Sequence, residues 1–463
     1  MIADLKSYPA MKDSGVQWLG EVPEHWELRR TKTLLKQRSQ KGFPNEPLLA
    51  ATQSKGVVRK EQYENRTVLA LKDLHLLKLV SVGDFVISLR SFQGGIEYAR
   101  ERGIISPAYT ILYLNSPELH GYLAYLFKSK PYIENLTHYV TGIRQGQNID
   151  YEKLSRSALP LPPLPEQAAI VRFLDYMDRC IGRYIRAKQN LIGLLEEQKQ
   201  AIIHRAVTRG LDPDVPFKPS GVEWVGDVPE HWDVKRMKYF YREVDERSKT
   251  GEEELLSVSH ITGVTPRSQK NITMFMAESY VGHKVCRPDD LVINTMWAWM
   301  AALGVSRHIG IVSPSYGVYR PHRDSGLLGE YTDLLMRTRP YVSEYVCRST
   351  GIRSSRLRLY PDQFLRIRII CPPIREQQAI LERVVYEAEG TNLAITGTQR
   401  EIELLRKYRT RLIADVVTGK LDVREAAANL PKEPEPLDEA DELLNSDDEM
   451  VEDLDAIAEE AQA

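Results

Sequence analysis

Apolar residues along this chain fall into two kinds of pattern, and each kind occurs twice. From Ile170 a largely apolar seam steps by four and three through Leu174, Met177, Ile181, Tyr184, Lys188, Leu191, Leu195, Gln198 and Ile202. That is the spacing of a coiled-coil seam. The stepping returns at Ile380, Val384, Ala388, Thr391, Ile395, Thr398, Ile402, Leu405, Arg409, Leu412 and Val416. Each seam predicts one long helix, the first from about Glu166 to Arg209 and roughly 65 Å long at 1.5 Å per residue. Thr208-Arg-Gly210 and Thr418-Gly419 mark the ends, because glycine suits a left-handed cap. Helices of that length do not fit inside one small core, and two such seams have each other as the obvious partner. Antiparallel pairing would place whatever precedes each helix at opposite ends. Before each helix the pattern shortens: Phe85-Val-Ile-Ser-Leu89, Leu291-Val-Ile-Asn294, 109–114 and 316–319 are β-rich runs bounded by Gly, Pro, Asp and Ser, as expected of strands in a mixed, β-rich domain.

The doubling extends to the letters. Ser14-Gly-Val-Gln-Trp-Leu-Gly-Glu-Val-Pro-Glu-His-Trp26 returns 206 residues later as Ser220-Gly-Val-Glu-Trp-Val-Gly-Asp-Val-Pro-Glu-His-Trp232. Ile105-Ser-Pro-Ala-Tyr109 answers Val312-Ser-Pro-Ser-Tyr316, and Thr141-Gly-Ile-Arg144 answers Thr350-Gly-Ile-Arg353. Pro162-Pro163 with Glu166-Gln167 matches Pro372-Pro373 with Glu376-Gln377. The chain is therefore two tandem copies of one unit of roughly 210 residues. The frame repeats while the filling varies, most clearly where Ser88-Leu-Arg-Ser-Phe-Gln-Gly-Gly95 faces Asn294-Thr-Met-Trp-Ala-Trp-Met-Ala301. The expected fold is α+β with a pseudo-two-fold internal repeat. A mixed domain spans 1–162, a long helix 163–212, a second mixed domain 213–371, a second long helix 372–423 and an acidic disordered tail 424–463.

Charge sharpens this picture. The net charge of −2 hides fourteen acidic residues against one lysine over 431–463, which leaves about +11 on everything before that tail. A basic folded body fits a protein that meets phosphate, though a solvated surface explains it as well. The tail is too poor in apolar residues to pack. Cys180, Cys286, Cys347 and Cys371 are far apart, without a C-x-x-C pair, and read as reduced thiols rather than a disulfide framework or metal site. With apolar runs such as 297–305 too short to span a membrane, the expected compartment is the cytoplasm.

The twin S-G-V-x-W-x-G-x-V-P-E-H-W elements, the P-P-x-x-E-Q start of each helix and the divergent centres resemble the specificity subunits of type I restriction-modification systems, over residues 13–423. The resemblance implies two target recognition domains, each followed by a helix, with the helices forming an antiparallel coiled coil that joins and separates them. It implies that each domain reads one half of a bipartite double-stranded DNA site, and unlike centres imply unlike half-sites. It also implies partners: two modification (methyltransferase) subunits seated on the helices and restriction (motor-nuclease) subunits. These use S-adenosylmethionine, ATP and Mg, while the chain itself binds no cofactor and catalyses nothing.

Base-contact candidates are polar, aromatic or basic residues where the copies differ. In the first domain these are Arg90, Ser91, Phe92 and Gln93, then Arg144, Gln145, Gln147 and Asn148. Arginine can grip guanine at two acceptors, and glutamine or asparagine can match adenine's donor-acceptor pair. The rival reading is an ordinary solvated loop. In the second domain the counterparts are Trp297 and Trp299, then Arg353, Ser354, Ser355, Arg356 and Arg358. The arginines fit phosphates better than bases. Trp297 and Trp299 alternate at strand spacing and read as core, or, if exposed, as a contact surface or support for a flipped base. Trp18, Trp26, Trp224 and Trp232 belong to packing, and Tyr109 and Tyr316 to domain structure. His25 and His231, beside Glu24 and Glu230, read as structural histidines, because no ligand set accompanies them.

Enzymatic machinery is missing from the letters: no G-x-x-x-x-G-K-[ST] loop, no glycine-rich nucleotide fingerprint after a strand and no Asp/Asn-Pro-Pro-aromatic methylation motif. Two further readings stand beside the recognition subunit. One is a non-catalytic coiled-coil interaction scaffold, and the other is a standalone DNA-binding regulator.

Overall fold

The computed structural model describes residues 5–53, 55–62, 73–114, 120–141, 148–269, 279–351 and 357–431. It divides into two compact units, Met1–Gln189 with Gln399–Pro436, and Asn190–Thr398. Both long helices are present, Leu164–Arg209 and Ile374–Val417, and each gives one half to each unit. A partition by chain order at 162 and 371 misses this, because packing follows the helix pair rather than the chain. In the first unit Arg409 holds Asp178 through two hydrogen bonds of 2.5 and 2.9 Å, and Lys188 meets Glu401 at 2.5 Å. In the second, Lys199 donates to the Asn392 side chain at 2.7 Å. Numbers rise on one helix as they fall on the other, so the helices pair antiparallel, as the family resemblance implies.

The seam itself is less regular than its letters. Ile170, Leu174, Met177 and Ile181 are buried, whereas Tyr184 is 62% and Leu191 42% exposed, and burial resumes at Ile203, Ala206 and Val207. A straight helix drifts about 20° per heptad against a strict seven-residue repeat. The stripe therefore rotates off the contact, and the buried position shifts from Ile202 to Ile203.

The mixed regions repeat strand for strand. In the first unit an antiparallel sheet runs in the order Leu35–Arg38, Thr110–Leu114, Phe85–Ile87, Glu97–Tyr98; in the second the order is Tyr241–Glu243, Gly317–Pro321, Leu291–Ile293, Leu303–Val305. Alternation along the central strand assigns its two faces. Phe85 and Ile87 face a core built with the helices, while Val86 joins Leu49, Val57, Ile105 and Ile111 on the other side. In the second unit Leu291 and Ile293 pack with the helices, and Val292 with Val258, Val312 and Val318. Burial on both faces is why these strands read as unbroken apolar runs.

The repeated motifs meet each other. Trp26 donates from Nε1 to Glu166 Oε1 at 2.8 Å, and His25 Nε2 lies 2.7 Å from Glu166 Oε2. Trp232 Nε1 and His231 Nε2 hold Glu376 likewise, both at Oε2, at 3.0 and 2.7 Å. Gln167 and Gln377 donate to the carbonyls of Pro162 and Pro372 at 2.7 and 2.8 Å. The glycine caps end against the same clamp. Gly210 (φ +76°) leaves room for Trp232 and Glu376, and Gly419 (φ +77°) for Pro23 and Trp26. Tyr122 donates to the Val417 carbonyl at 2.9 Å and Tyr331 to that of Val207 at 2.8 Å, satisfying orphan acceptors in each last helical turn.

One boundary needs correction. Residues 424–431, assigned from the letters to a disordered tail, begin with the helix Arg424–Ala428, and Val423, Ala427 and Leu430 are buried in the first unit's core. Their small apolar side chains pack where the acidic residues beyond could not. The remainder of that tail, 432–463, lies outside the described residues.

Candidate nucleic-acid interface

In the first unit the strand Phe85–Ile87 runs into a tight turn. The Ser88 amide donates to Ser91 Oγ at 2.8 Å, a single helical turn covers Ser91–Gly94, and Gly95 reverses the chain at φ +85°, ψ −174°. Arg90 and Gln93 project into solvent and Phe92 is half-buried against the core. Ser91 is 1% exposed, so its hydroxyl builds the turn and is not presented to a ligand, which removes it from the candidate contacts. The turn lies against Asn148–Ile149, which pairs with Val140–Thr141. Asn148 is half-buried; Arg144, Gln145 and Gln147 lie outside the described residues.

The second unit repeats this placement with different contents. After Leu291–Ile293, Asn294 is buried and donates to the Tyr316 hydroxyl at 3.1 Å, which gives that tyrosine the structural part expected of it. The chain then makes one 3-10 turn, Ala298–Met300, ended by Ala301 in the left-handed region at φ +61°. Trp297 and Trp299 therefore do not alternate along a strand, since the strand stops at Ile293. Their rings stack at 5.5 Å and 23°, and both are half-buried rather than core. Beside them Arg358 is exposed, with Nη2 3.8 Å from Met296 Sδ, and the Leu359 amide donates to the Thr295 carbonyl at 3.0 Å. Thr350 and Arg358 exchange backbone hydrogen bonds of 3.0 Å. Arg353, Ser354, Ser355 and Arg356, between them, lie outside the described residues.

Each unit thus sets a surface turn, leaving a fully buried strand, beside the paired segments that frame Thr-Gly-Ile-Arg. The first surface offers a guanidinium and an amide, able to donate two parallel hydrogen bonds or to match a donor-acceptor pair. The second offers an aromatic stack next to a cation. The letters missed what holds the histidines. Their partner is not the adjacent Glu24 or Glu230 but the glutamate that starts a long helix, and the signal was the recurrence of both motifs together. Among the described residues no group of three or more His, Cys, Asp or Glu is placed to hold a metal ion, and no helix is long and apolar enough to cross a membrane.

Residues 23–192 match the family model described as the type I restriction modification DNA specificity domain. The chain is 28% identical over 257 residues to the putative type I restriction enzyme MjaX specificity subunit of Methanocaldococcus jannaschii, covering 48% of this chain and 55% of that one. It is 23% identical over 368 residues to the type I restriction enzyme MjaVIII specificity subunit of the same organism, covering 75% and 81%. Its fold is similar to a chain solved in work on complex assembly and conformational transition of the type I R-M system, with a TM-score of 0.58 and 15% identity over 86% of this chain and 99% of that one.

Proposed function

We propose that this chain, which matches the type I restriction modification DNA specificity domain over residues 23–192 and is similar to type I specificity subunits, supplies the DNA address of such a complex in the cytoplasm, each mixed unit reading one half of an asymmetric bipartite site. The modification subunits dock on the paired helices and bring S-adenosylmethionine chemistry; restriction subunits bring ATP- and Mg-dependent activity. The chain itself contributes recognition and no catalysis. The observation that carries this reading is one frame used twice with unlike surface turns, Arg90 and Gln93 in one unit and the Trp297–Trp299 stack with Arg358 in the other. A frame that repeats without its turns repeating suits two half-sites of different sequence. Two like turns would suit a palindrome.

The test is selection from a pool of random duplexes by the chain assembled with its modification subunits. Two enriched blocks of unlike sequence, separated by a fixed unselected gap, are the expected result. A pool without enrichment, from an assembled complex, would overturn the reading in favour of a plain interaction scaffold. One enriched block without partners would favour a standalone regulator.

A further inference from the structure

A second surface element lies against the first of these turns and against the strand that leaves the second. In the first unit the strands Leu49–Thr52 and Gly56–Arg59 form a hairpin whose turn carries the exposed Gln53 and Lys55. Gln53 approaches so closely that a Cβ on Gly94 would lie 2.6 Å from its Cγ. Lys128 ties the two turns together. Its ammonium donates to the Gln53 carbonyl at 3.0 Å and the Gly94 carbonyl at 2.8 Å, and the 2%-exposed Glu97 backs it at 2.5 Å. This staple joins one carbonyl from each turn.

The second unit has a staple at the equivalent place. Arg337, 209 residues after Lys128, donates from Nη2 to the carbonyls of His260 and Ile261, the latter at 2.8 Å, at the tip of the hairpin Leu256–Ser259 and Gly263–Pro266. Asp333 sits 3.9 Å from its Nη1 and accepts the Val305 amide at 2.9 Å, tying the hairpin to the strand that follows the tryptophan turn. A Cβ on Gly304 of that strand would be 3.1 Å from Gly263 Cα. The tips hold different side chains, Gln53 and Lys55 against His260, the 62%-exposed Ile261 and Thr262. Fixed placement with changed contents is the same signature that marks the neighbouring turns. The chemistry offered is amide, ammonium, imidazole, hydroxyl and an apolar tip able to meet a thymine methyl.

We propose that these two hairpin turns contact base edges together with the turns 88–95 and 294–301, that Lys128 is a positioning residue holding the first pair of turns in register, and that Arg337 positions the second hairpin through Asp333 against the strand that leaves the tryptophan turn. This rests on the DNA-recognition reading above. The experiment repeats the duplex selection with the full chain assembled with its modification subunits, comparing wild type with Gln53→Ala/Lys55→Ala, His260→Ala/Thr262→Ala, Lys128→Ala and Lys128→Arg. Each double variant should lose preference by about 10-fold or more at one or two positions of a single block. The two double variants should act on different blocks. Lys128→Ala should relax the block that Gln53→Ala/Lys55→Ala relaxes, and Lys128→Arg, the second unit's own choice, should retain it. Should Lys128→Ala fail to fold, the two double variants decide. Unchanged blocks in both double variants, or both acting on the same block, would overturn the inference. An unselective wild type would instead overturn the function reading itself.

Discussion

The two mixed units differ at the turn that each sets after its central buried strand. Gly95 and Ala301 end equivalent turns, both at positive φ, yet one is glycine and the other is not. Gly95 sits at ψ −174°, a region open essentially to glycine alone, and a Cβ there would collide with the Phe127 carbonyl. Ala301 sits at ψ 28°, the left-handed helical region, where a Cβ is costly but tolerated. The frame therefore fixes where the chain must reverse, and the contents of the turn decide how. That division lets one scaffold carry two surfaces.

The sharpest way to break the comparison is at the frame, where the units should respond alike. Trp26→Ala and Trp232→Ala each remove a fully buried ring and leave a glutamate without its indole partner. Each should cost about 3–5 kcal/mol, read by denaturant unfolding with hydrogen exchange to localise the loss to one unit. A large loss at only one would mean the frames are not equivalent. At the turns the units should diverge. Gly95→Ala is expected to destabilise the first unit by about 1–3 kcal/mol. Ala301→Gly should fall within about 1 kcal/mol of wild type, since relief of the left-handed cost offsets the added chain entropy.

Recognition should diverge as well. Gln93→Ala and Trp299→Ala should each relax one block of the selected DNA by about 1–3 kcal/mol per position and leave the other block intact. The smallest expected effect is the pH dependence that Glu97 gives the first unit. Burial pushes the Glu97 carboxyl up from 4.5 to about 7, against the opposing pull of Lys128. The folded unit thus keeps a proton that the unfolded chain gives up. Its contribution to stability is full below pH 4.5 and declines as pH rises through about 7. Glu97→Gln should flatten that decline, measured as Tm between pH 5 and 8. The second unit has Gly304 at the matching position of its sheet, and there burial raises a different carboxyl, that of Asp333 beside Arg337.

Much of the fold could be read from the letters, because the repeat and the seams are properties of spacing. The two long helices, the glycine caps and the twice-used strand all follow from periodicity and punctuation, while the antiparallel pairing comes from the family resemblance. The clamp of Trp26 and His25 on Glu166 did not follow, since residues 140 apart are joined only by folding. The exposure expected of Ser91 and the strand spacing read into the tryptophans failed for a local reason. A strand that ends at Ile293 and turns sharply gives alternating letters the geometry of a turn, and a serine that accepts an amide turns inward. Lys128 was invisible because its task is to bridge two loops distant in sequence. Arg144, Gln145, Gln147 and Arg353 to Arg356 lie where the structure describes nothing, so their candidacy still rests on residue type.

The most direct measurement is methylome sequencing of cells expressing the modification subunit encoded with this chain, in its presence and absence. The account expects a split, asymmetric methylated motif that appears only when the chain is present. An assembled, active methyltransferase whose motif is the same without the chain would contradict it.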